Sequence, residues 1–492
     1  MTQILRTPGD DPSETAEPVT DRRRFLKGGL AGAASISFAA LSARRGSAFE
    51  LPYGDDYGPL APVADKTTGL PLLKLPKGFS YRSWGWTGQP MDDGQPTPRM
   101  HDGMSVVAAK GDRIVLVRNH EQEIFPDPPI SQLADPVRVR GRARYDQDFG
   151  AGGTTNISFD TDSGKWQSAY CSLSGTVRNC AGGRTPWGSW LTAEETDLVS
   201  PAGVRHGWIF EVPGFGTPSG EPLKDMGFAA WEASATDPAT GYVYETEDAT
   251  PGGFYQFVPN HYGRLERGGT LYLLKVKGQD DFNFSGLDGV WLDHPAGTTW
   301  DVEWVEVTDP HGTSGRIYDS APGRACFARP EGCWYDSGKI YFSCTTGGAA
   351  RRGQIYVLDP RRQTLEILFN STGIGLGSTE CNQPDNIAVS PRGGIVLCED
   401  GSTSVSQKLR GLTPAGGTFV FADNNVNLTA DDIRRADRAL DAHRDVVKRI
   451  APGSYTGQEW AGACFYEKWL FVNIQTPGIT FAITGPWDNG AL

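Results

Sequence analysis

Acidic and sulfur-containing side chains recur at six similar places along the chain. Each place is a two-residue opening of a short β-like segment whose second residue is a carboxylate or a thiol: His101-Asp102, Asn179-Cys180, Trp231-Glu232, Pro330-Glu331, Pro384-Asp385 and Gln458-Glu459. A second, strongly apolar segment follows each opening, and most of these segments end in acidic or amide residues: Asn119, Glu121, Glu194, Glu195, Glu247, Asp248, Glu399 and Asp400. Carboxylates and thiolates are common protein ligands for calcium, magnesium and transition metals. The residue types therefore indicate cation binding.

The elements that carry these residues form a weak internal repeat. The first and second segments are separated by a nearly constant number of residues with Gly, Asp or Pro in the turn, and a further β-like segment follows each pair. Up-and-down strands repeated radially make a β-propeller. The sequence therefore predicts an all-β fold, a six-bladed β-propeller with loop and helical insertions. Unequal spacing between the repeats indicates that the insertions lie between blades.

Hairpin geometry predicts that these side chains meet. The start of the first strand and the end of the second lie at the same end of an antiparallel hairpin. Six hairpins with the same orientation would ring one mouth of the central channel with negative side chains, which repel each other unless cations are bound. Oxygen ligands alone suit calcium or magnesium, and the thiolate of Cys180 among carboxylates favours iron. We expect structural roles for His101 and His120.

One segment has a helical pattern. Thr429 to Ile450 carries Ala, Asp and Arg at helical spacing, and Thr429 and Asp432 are placed as a capping box. We predict a helical insertion near residues 429–450 within a single propeller domain that spans residues 49–492.

The first 48 residues have the pattern of an export signal. Arg22-Arg23 is followed by one spacer and Phe25-Leu26-Lys27, then by an apolar stretch from Gly28 to Leu41 and by the small residues Gly46-Ser47-Ala48. This order is typical of a twin-arginine signal peptide. The apolar stretch is shorter than the roughly 20 residues of a membrane span. We predict export by the twin-arginine machinery and a periplasmic or secreted protein.

Composition excludes several partners. The formal net charge is -13, which disfavours binding to nucleic acids and anionic membranes. We also expect a monomer without a membrane span. The chain has 8 cysteines without metal-ligand spacing such as a CxxC pair. We predict buried free thiols for all of them except Cys180.

Four stretches resemble the signatures of the PhoX family of bacterial alkaline phosphatases. They are the run from Gly175 to Glu195, which contains Arg178-Asn179-Cys180-Ala181-Gly182-Gly183; Arg329-Pro330-Glu331; Pro384-Asp385-Asn386; and Phe471-Val472-Asn473-Ile474-Gln475-Thr476-Pro477-Gly478, leading to Gly485-Pro486-Trp487. The resemblance covers nearly the whole chain after residue 48.

The resemblance implies a phosphomonoesterase with an iron–calcium cluster at the channel mouth. The implied metal ligands are Cys180, Glu121, Glu194, Glu195, Glu232, Glu331, Asp385 and Glu459. Arg329, whose fork of donors suits phosphate, would hold the substrate. Arg329, Cys180 and Glu331 are the expected catalytic residues, and Asn179 and Asn386 are expected to assist substrate binding. Two positions depart from the family pattern: Trp231 replaces a usual histidine, and Ala193 replaces a common cysteine.

Two other interpretations fit an acidic propeller. A calcium-dependent lactonase or esterase would use one calcium ion and no thiolate ligand. A non-catalytic secreted binding propeller would need neither the metals nor the clustered acids.

Overall fold

The computed structural model describes residues 57–124, 137–139, 143–146, 148–286, 294–371, 381–401, 405–443 and 445–492. The predicted signal peptide lies outside these residues. Most regular elements within them are short antiparallel strands, in agreement with the predicted all-β class. Among the described residues, no helix combines the length and the apolar character needed to cross a bilayer.

The strands fall into six successive units preceded by three N-terminal strands. The N-terminal strands are β1 (Leu60–Val63), β2 (Leu73–Pro76) and β3 (Ser80–Trp84). Unit 1 contains β4 (His101–Lys110), β5 (Arg113–His120), β6 (Gly152–Asp160) and β7 (Lys165–Thr176); unit 2 contains β8 (Asn179–Arg184), β9 (Ser189–Glu194) and β10 (Ile209–Pro213). Unit 3 contains β11 (Trp231–Thr236), β12 (Val243–Glu247), β13 (Phe254–Pro259), β14 (Gly269–Val276) and β15 (Thr299–Glu306).

The remaining units follow the same order. Unit 4 contains β16 (Pro330–Asp336), β17 (Lys339–Cys344), β18 (Gln354–Asp359) and β19 (Thr364–Asn370); unit 5 contains β20 (Pro384–Val389), β21 (Ile395–Glu399), β22 (Lys408–Leu412) and β23 (Thr418–Asn424). An insertion of β24 (Asn427–Leu428), α1 (Ala430–Ala439), α2 (Asp445–Arg449) and β25 (Gly453–Ser454) precedes unit 6, which contains β26 (Trp460–Tyr466), β27 (Trp469–Ile474) and β28 (Ile479–Thr484). Short 3-10 helices span Lys224–Met226, Leu265–Arg267, Ile317–Ser320 and Trp487–Asn489.

The first strand of each unit is the innermost one. These strands contact one another in a closed ring: β4 with β8, β8 with β11, β11 with β16, β16 with β20, β20 with β26, and β26 with β4. The N-terminal strands complete the ring, because β3 pairs with β28 of unit 6 and β2 pairs with β23 of unit 5. In addition, β15 pairs with β19, which joins units 3 and 4 into one sheet. The result is a β-propeller-like arrangement.

One backbone hydrogen bond repeats in every unit. The residue that follows the second strand donates its N–H to the carbonyl of the residue that precedes the first strand: Glu121 to Met100, Glu195 to Arg178, Asp248 to Ala230, Thr345 to Arg329, Asp400 to Gln383, and Gln475 to Glu459, at 2.9, 2.9, 3.0, 2.9, 3.0 and 3.3 Å. This bond brings the start of the first strand and the end of the second together, as the hairpin argument requires. It also defines equivalent positions in the six units.

The hydrophobic core lies between neighbouring units. In the described part of the chain, each of six apolar clusters combines residues of at least two neighbouring units. For example, Phe254 of unit 3 stacks on Phe342 of unit 4 with ring centroids 4.1 Å apart. Each unit therefore buries both faces of its sheet, and the units stabilise one another around the ring.

The helical segment lies where the capping box predicts it. Thr429 caps α1, and its side chain and that of Asp432 exchange hydrogen bonds with each other's backbone. The segment consists of two helices rather than one, and Ile433 and Val446 pack into the core between units 5 and 6. In unit 5, β22 is the third strand, so β23, which begins at Thr418, is the fourth.

Candidate metal centre

The second residue of each innermost strand occupies an equivalent position in the six units. These residues are Asp102, Cys180, Glu232, Glu331, Asp385 and, in unit 6, Ala461. In every unit the pairing between the first two strands is interrupted by a bulge near this residue. A β-bulge re-aims side chains and is common beside active sites. The repeated bulge therefore places five acidic or thiol side chains around one opening.

The residue after each second strand supplies the next set of side chains: Glu121, Glu195, Asp248, Thr345, Asp400 and Gln475. Successive residues of a strand face opposite sides. The acids that end the second strands, Glu194, Glu247 and Glu399, therefore turn away from the mouth.

Glu194, a predicted ligand, lies outside the groups of potential metal ligands. Its Oε1 accepts hydrogen bonds from the Val177 N–H at 2.8 Å and from His206 Nδ1 at 2.7 Å. Its Oε2 accepts from the N–H groups of Gly207 and Trp208 at 2.9 and 3.2 Å. Both oxygens are thus engaged within the fold, so Glu194 has a structural role.

The side chains at the mouth form four overlapping groups of potential metal ligands. Within each group the ligand atoms lie within 4.8 Å of one another: Asp102, Glu121 and Cys180; Cys180, Glu195 and Glu232; Glu232, Glu331 and Asp385; and Asp385, Asp400 and Glu459. Cys180, Glu232 and Asp385 each belong to two groups. The predicted ligands other than Glu194 therefore meet in one continuous cluster, together with Asp102 and Asp400.

Glu459 reaches this cluster from a different position than predicted. The innermost strand of unit 6 begins at Trp460, so Ala461 is equivalent to Glu232, and Glu459 precedes the strand. The predicted opening Gln458-Glu459 is therefore out of register. In unit 6, where Ala461 offers no ligand atom, the amide of Gln475 contacts the neighbouring acids. Its Nε2 lies 3.0 Å from Asp102 Oδ2, 2.7 Å from Glu121 Oε2 and 2.5 Å from Glu459 Oε1.

The residues that precede the innermost strands divide the mouth into two arcs. Units 2, 3 and 4 carry Arg178, Ala230 and Arg329 there, which we call the arginine arc. Units 5, 6 and 1 carry Gln383, Glu459 and Met100, which we call the arginine-free arc. The backbone φ angle is positive at Met100, Arg178, Arg329 and Gln383, with values of 53°, 49°, 51° and 56°. Strained φ values of this kind persist where the surroundings enforce them and concentrate at functional sites.

The two arginines hold neighbouring acids of the cluster. Arg178 Nη2 lies 3.1 Å from Glu121 Oε1 and 2.9 Å from Glu195 Oε2. Arg329 Nε lies 2.9 Å from Asp248 Oδ1, and its Nη2 lies 2.7 Å from Glu331 Oε1. The Arg178 and Arg329 side chains are 36% and 33% exposed, so both guanidinium groups can be reached from solvent.

Burial and mutual repulsion govern the charges of the cluster. Burial, followed by neighbouring carboxylates, raises the pKa of Asp102, Glu195 and Glu232 well above the usual range. Burial and the adjacent Asp385 raise the pKa of Asp400 to about 7. Burial, with Asp102 and Glu232 nearby, also raises the pKa of the Cys180 thiol. Bound protons or bound cations must therefore relieve the repulsion.

The donor set fits cations. Glu232 is fully buried, and its Oε2 has no hydrogen-bond partner in the described part of the chain. The Cys180 sulfur donates to Glu232 Oε1 at 3.3 Å and is shared by two of the four groups. An unsatisfied buried carboxylate oxygen is costly, and a multivalent cation would satisfy it. Thiolate and carboxylate ligands together suit a transition metal, and the groups made of carboxylates alone suit calcium.

The two asparagines predicted to bind substrate have other partners. Asn179 is fully buried; its Nδ2 donates to Thr192 Oγ1 at 2.9 Å, and its Oδ1 accepts from Thr176. Both ends of the Asn179 amide are therefore engaged within the fold. Asn386 donates from Nδ2 to Asp385 Oδ1 at 3.2 Å and accepts from the Gly462 N–H at 2.9 Å, so it orients a member of the cluster.

The positions that depart from the family pattern lie away from the mouth. Trp231 is fully buried, donates from Nε1 to the Gly227 carbonyl at 3.0 Å and packs edge-on against Tyr255. Ala193 is buried and pairs with Ile209 of β10. Both residues therefore belong to the core between units.

The histidines and cysteines follow the expected pattern. His101 and His120 bind the carbonyls of Pro98 and Arg99 at 2.9 and 2.8 Å, which are structural contacts. All eight cysteines are free and buried, and Cys180 lies in the cluster.

Sequence reasoning missed the role of Arg178 and Gln475. A usable signal for Arg178 was present, because Arg178-Asn179-Cys180 and Arg329-Pro330-Glu331 place an arginine two residues before a cluster residue. The signal for Gln475 was weaker: it follows the second strand of unit 6, a position where other units carry the acids Glu121, Glu195 and Asp400.

The chain is similar to known proteins over most of its length. The protein-family model described as alkaline phosphatase PhoX matches residues 55–170 and 167–478. Pseudomonas fluorescens PhoX, solved in complex with vanadate, a transition state analogue, is 19% identical; the alignment covers 89% of this chain and 99% of that chain with a TM-score of 0.61. A gluconolactonase from Xanthomonas campestris is 11% identical, with 79% and 97% of the two chains covered and a TM-score of 0.30. No curated protein matches this chain.

The two kinds of similarity carry different information. The solved Pseudomonas structure supports the shared fold. The family model extends across the ring and includes Cys180, Glu331, Asp385 and both arginines. On this match the chain belongs to the alkaline phosphatase PhoX family.

Proposed function

We propose that this protein hydrolyses phosphate monoesters at the mouth of the ring, with iron and calcium as its cations. The proposal rests on one observation: two partly exposed arginines contact acids at the mouth, beside the four ligand groups. Family membership supports metal-dependent hydrolysis of phosphoesters.

The ligand groups divide by chemistry. Cys180 belongs to the two groups that contain Glu121 and Glu195, and its sulfur makes these the groups suited to iron. The groups built on Asp385 contain carboxylates alone and suit calcium. When bound, such cations neutralise the phosphate dianion and activate water.

The side chains of the arginine arc bind and orient the substrate. Arg329 places a planar guanidinium at the edge of the cluster, and Asp248 holds the Nε and Nη2 side of that group at 2.9 and 3.2 Å. A guanidinium held in this way matches the geometry of phosphate oxygens. Arg178 offers a second guanidinium one unit beyond Ala230. The phosphoryl group is therefore expected between the two arginines.

The test combines metal quantification with turnover of p-nitrophenyl phosphate. Cys180→Ser and Glu331→Gln each remove a ligand of the cluster, and Glu266→Gln changes an exposed acid on the surface as a control. We expect Cys180→Ser to lose iron and both cluster variants to lose at least about 100-fold in kcat, while the control keeps both properties. Unchanged turnover in both cluster variants would reject the proposal.

We also propose that the protein is exported by the twin-arginine pathway. The motif Arg22-Arg23 followed by Phe25-Leu26-Lys27 supports this proposal. Replacing Arg22 and Arg23 by lysine should leave the protein in the cytoplasmic fraction, and arrival of this variant in the periplasm would contradict it.

A further inference from the structure

A cavity of about 530 Å³ opens beside the arginine arc, between units 2 and 3. Arg178, Glu195 and Asp248 line its inner wall. Glu195 also belongs to the ligand group that contains Cys180 and Glu232. The cavity is therefore continuous with the candidate metal centre on its arginine-bearing side.

Small residues of unit 3 create this space. Ala230 lines the cavity and stands where units 2 and 4 carry Arg178 and Arg329. Ala249, next to Asp248, also lines it. Both alanines are partly exposed, so a longer side chain at either position would occupy the cavity. The cavity is therefore open because alanines stand at these two positions.

The outer wall is held in place by hydrogen bonds. Gly312, Gly315, Arg316 and Ile317 line it, and just before them the Pro310 carbonyl accepts a hydrogen bond from the Phe228 N–H at 2.9 Å. Arg205 donates from Nη1 to the His311 carbonyl at 2.6 Å, and its guanidinium stacks on Phe228 at 3.6 Å. The wall is therefore already formed before any ligand binds, as is common for small-molecule sites.

The chemistry of the walls indicates what the cavity can hold. Phe228 and Ile317 contribute apolar surface, and Asp197 and Arg316 contribute polar groups. Its volume falls within the range of about 300–1,000 Å³ typical of small-molecule sites. We infer that the cavity holds the leaving group of the monoester and favours a ring-sized alcohol, either an aryl or a sugar group, over a methyl group. This inference rests on the proposed function.

The experiment fills the cavity and compares two leaving groups. In Ala249→Leu, kcat/KM is measured for p-nitrophenyl phosphate and for methyl phosphate. Calorimetry measures the affinity for phenylphosphonate and methylphosphonate, two analogues that resist hydrolysis. We expect kcat/KM for the aryl ester and affinity for phenylphosphonate to fall about tenfold, while the methyl compounds change less than about twofold. The metal content should equal that of the wild type.

Two further variants make the test decisive. Ala230→Leu fills the cavity from a second position, and Ala202→Leu makes the same change at an exposed alanine outside it. The inference is overturned if both filling variants lower the aryl and methyl compounds equally, or lower neither. If the metal-loaded wild type hydrolyses neither ester, the proposed function fails, and the calorimetric preference for phenylphosphonate still decides the occupant of the cavity.

Discussion

The arginine arc and the arginine-free arc have the same backbone but different side chains. In both arcs the residue before the innermost strand accepts the same hydrogen bond from the residue after the second strand. Positive φ values occur in both, at Arg178 and Arg329 on one side and at Met100 and Gln383 on the other. The backbone therefore offers equivalent positions around the mouth, and the side chain at each position decides its chemistry.

The two arcs differ in the charge that they place at the mouth. The two arginines pair with Glu121 of unit 1 and with acids of units 2 to 4, whereas units 5 and 6, which carry Asp385, Asp400 and Glu459, have no arginine at that position. An anion is attracted to the positive side of such a cleft and a cation to the negative side. We therefore expect substrate contacts to depend on the arginine arc and calcium binding to depend on the arginine-free arc.

The largest expected effect comes from removing Arg329. Arg329→Gln should lower kcat/KM for p-nitrophenyl phosphate by about 100- to 1,000-fold, because a preorganised charged donor is lost where phosphate charge develops. Metal content should remain at the wild-type level, and Arg329→Lys should recover part of the activity because it keeps the charge without the fork. Loss of metal in parallel with activity would instead assign Arg329 to the integrity of the cluster.

Much of this arrangement could be predicted from the sequence. The hairpins produced recurring pairs of segments, and those pairs placed Cys180, Glu232, Glu331 and Asp385 at one opening, as the structure does. This prediction depends on hairpin geometry, which each short segment specifies locally, and on the repeat, which orients the six hairpins alike around a ring.

The differences between the sequence prediction and the structure have physical causes. Glu194 and Glu195 are adjacent in sequence, and only the pleat, which alternates side chains between faces, separates a buried structural acid from a cluster acid. Glu459 was assigned by its acidity, whereas the register of unit 6 depends on strand pairing that begins at Trp460. Arg178 was overlooked although the aligned openings place it, like Arg329, two residues before a cluster residue; the residue before each opening was not compared between the units.

The second arginine should contribute less than Arg329. Arg178→Gln removes a guanidinium that contacts Glu121 and Glu195. We expect a decrease of about 10- to 100-fold in kcat/KM, the scale of a lost charge-assisted hydrogen bond. Competitive inhibition by inorganic phosphate provides the second measurement, since its inhibition constant should rise in this variant. An unchanged inhibition constant would limit Arg178 to holding the two acids.

Introducing an arginine into the arginine-free arc should disturb calcium rather than substrate. Gln383 has a φ of 56°, close to the 49° of Arg178, so the backbone accepts arginine there. Gln383→Arg places a positive charge beside Asp385 and Asp400, and we expect about tenfold more calcium to be needed for half-maximal activity. The kcat at saturating calcium should stay near the wild-type value. Gln383→Met, which copies Met100 of unit 1, is the matched control, and an equal calcium requirement in both variants would contradict the division into arcs.

The smallest effect on activity is expected at an acid that belongs to neither arc. Glu245 lies in β12 opposite Ser234 and Tyr255, is fully buried, and neither of its carboxylate oxygens has a hydrogen-bond partner among the described residues. Burial raises the pKa of Glu245 well above its usual range. The folded protein therefore keeps a proton that the unfolded chain releases, and its stability falls as the pH rises from about 4.5 toward that raised pKa.

Glu245→Gln removes this titration and should leave turnover within about twofold of the wild type, because Glu245 belongs to none of the four ligand groups. Its stability advantage should grow with pH, because the folded carboxyl must take up a proton that the amide does not need. Thermal unfolding at pH 5 and pH 9, with metals held constant, measures this difference. A constant offset at both pH values would mean that Glu245 finds a charged partner on folding. An advantage confined to pH 9 would show that this carboxyl weakens the fold in the range where an alkaline phosphatase works.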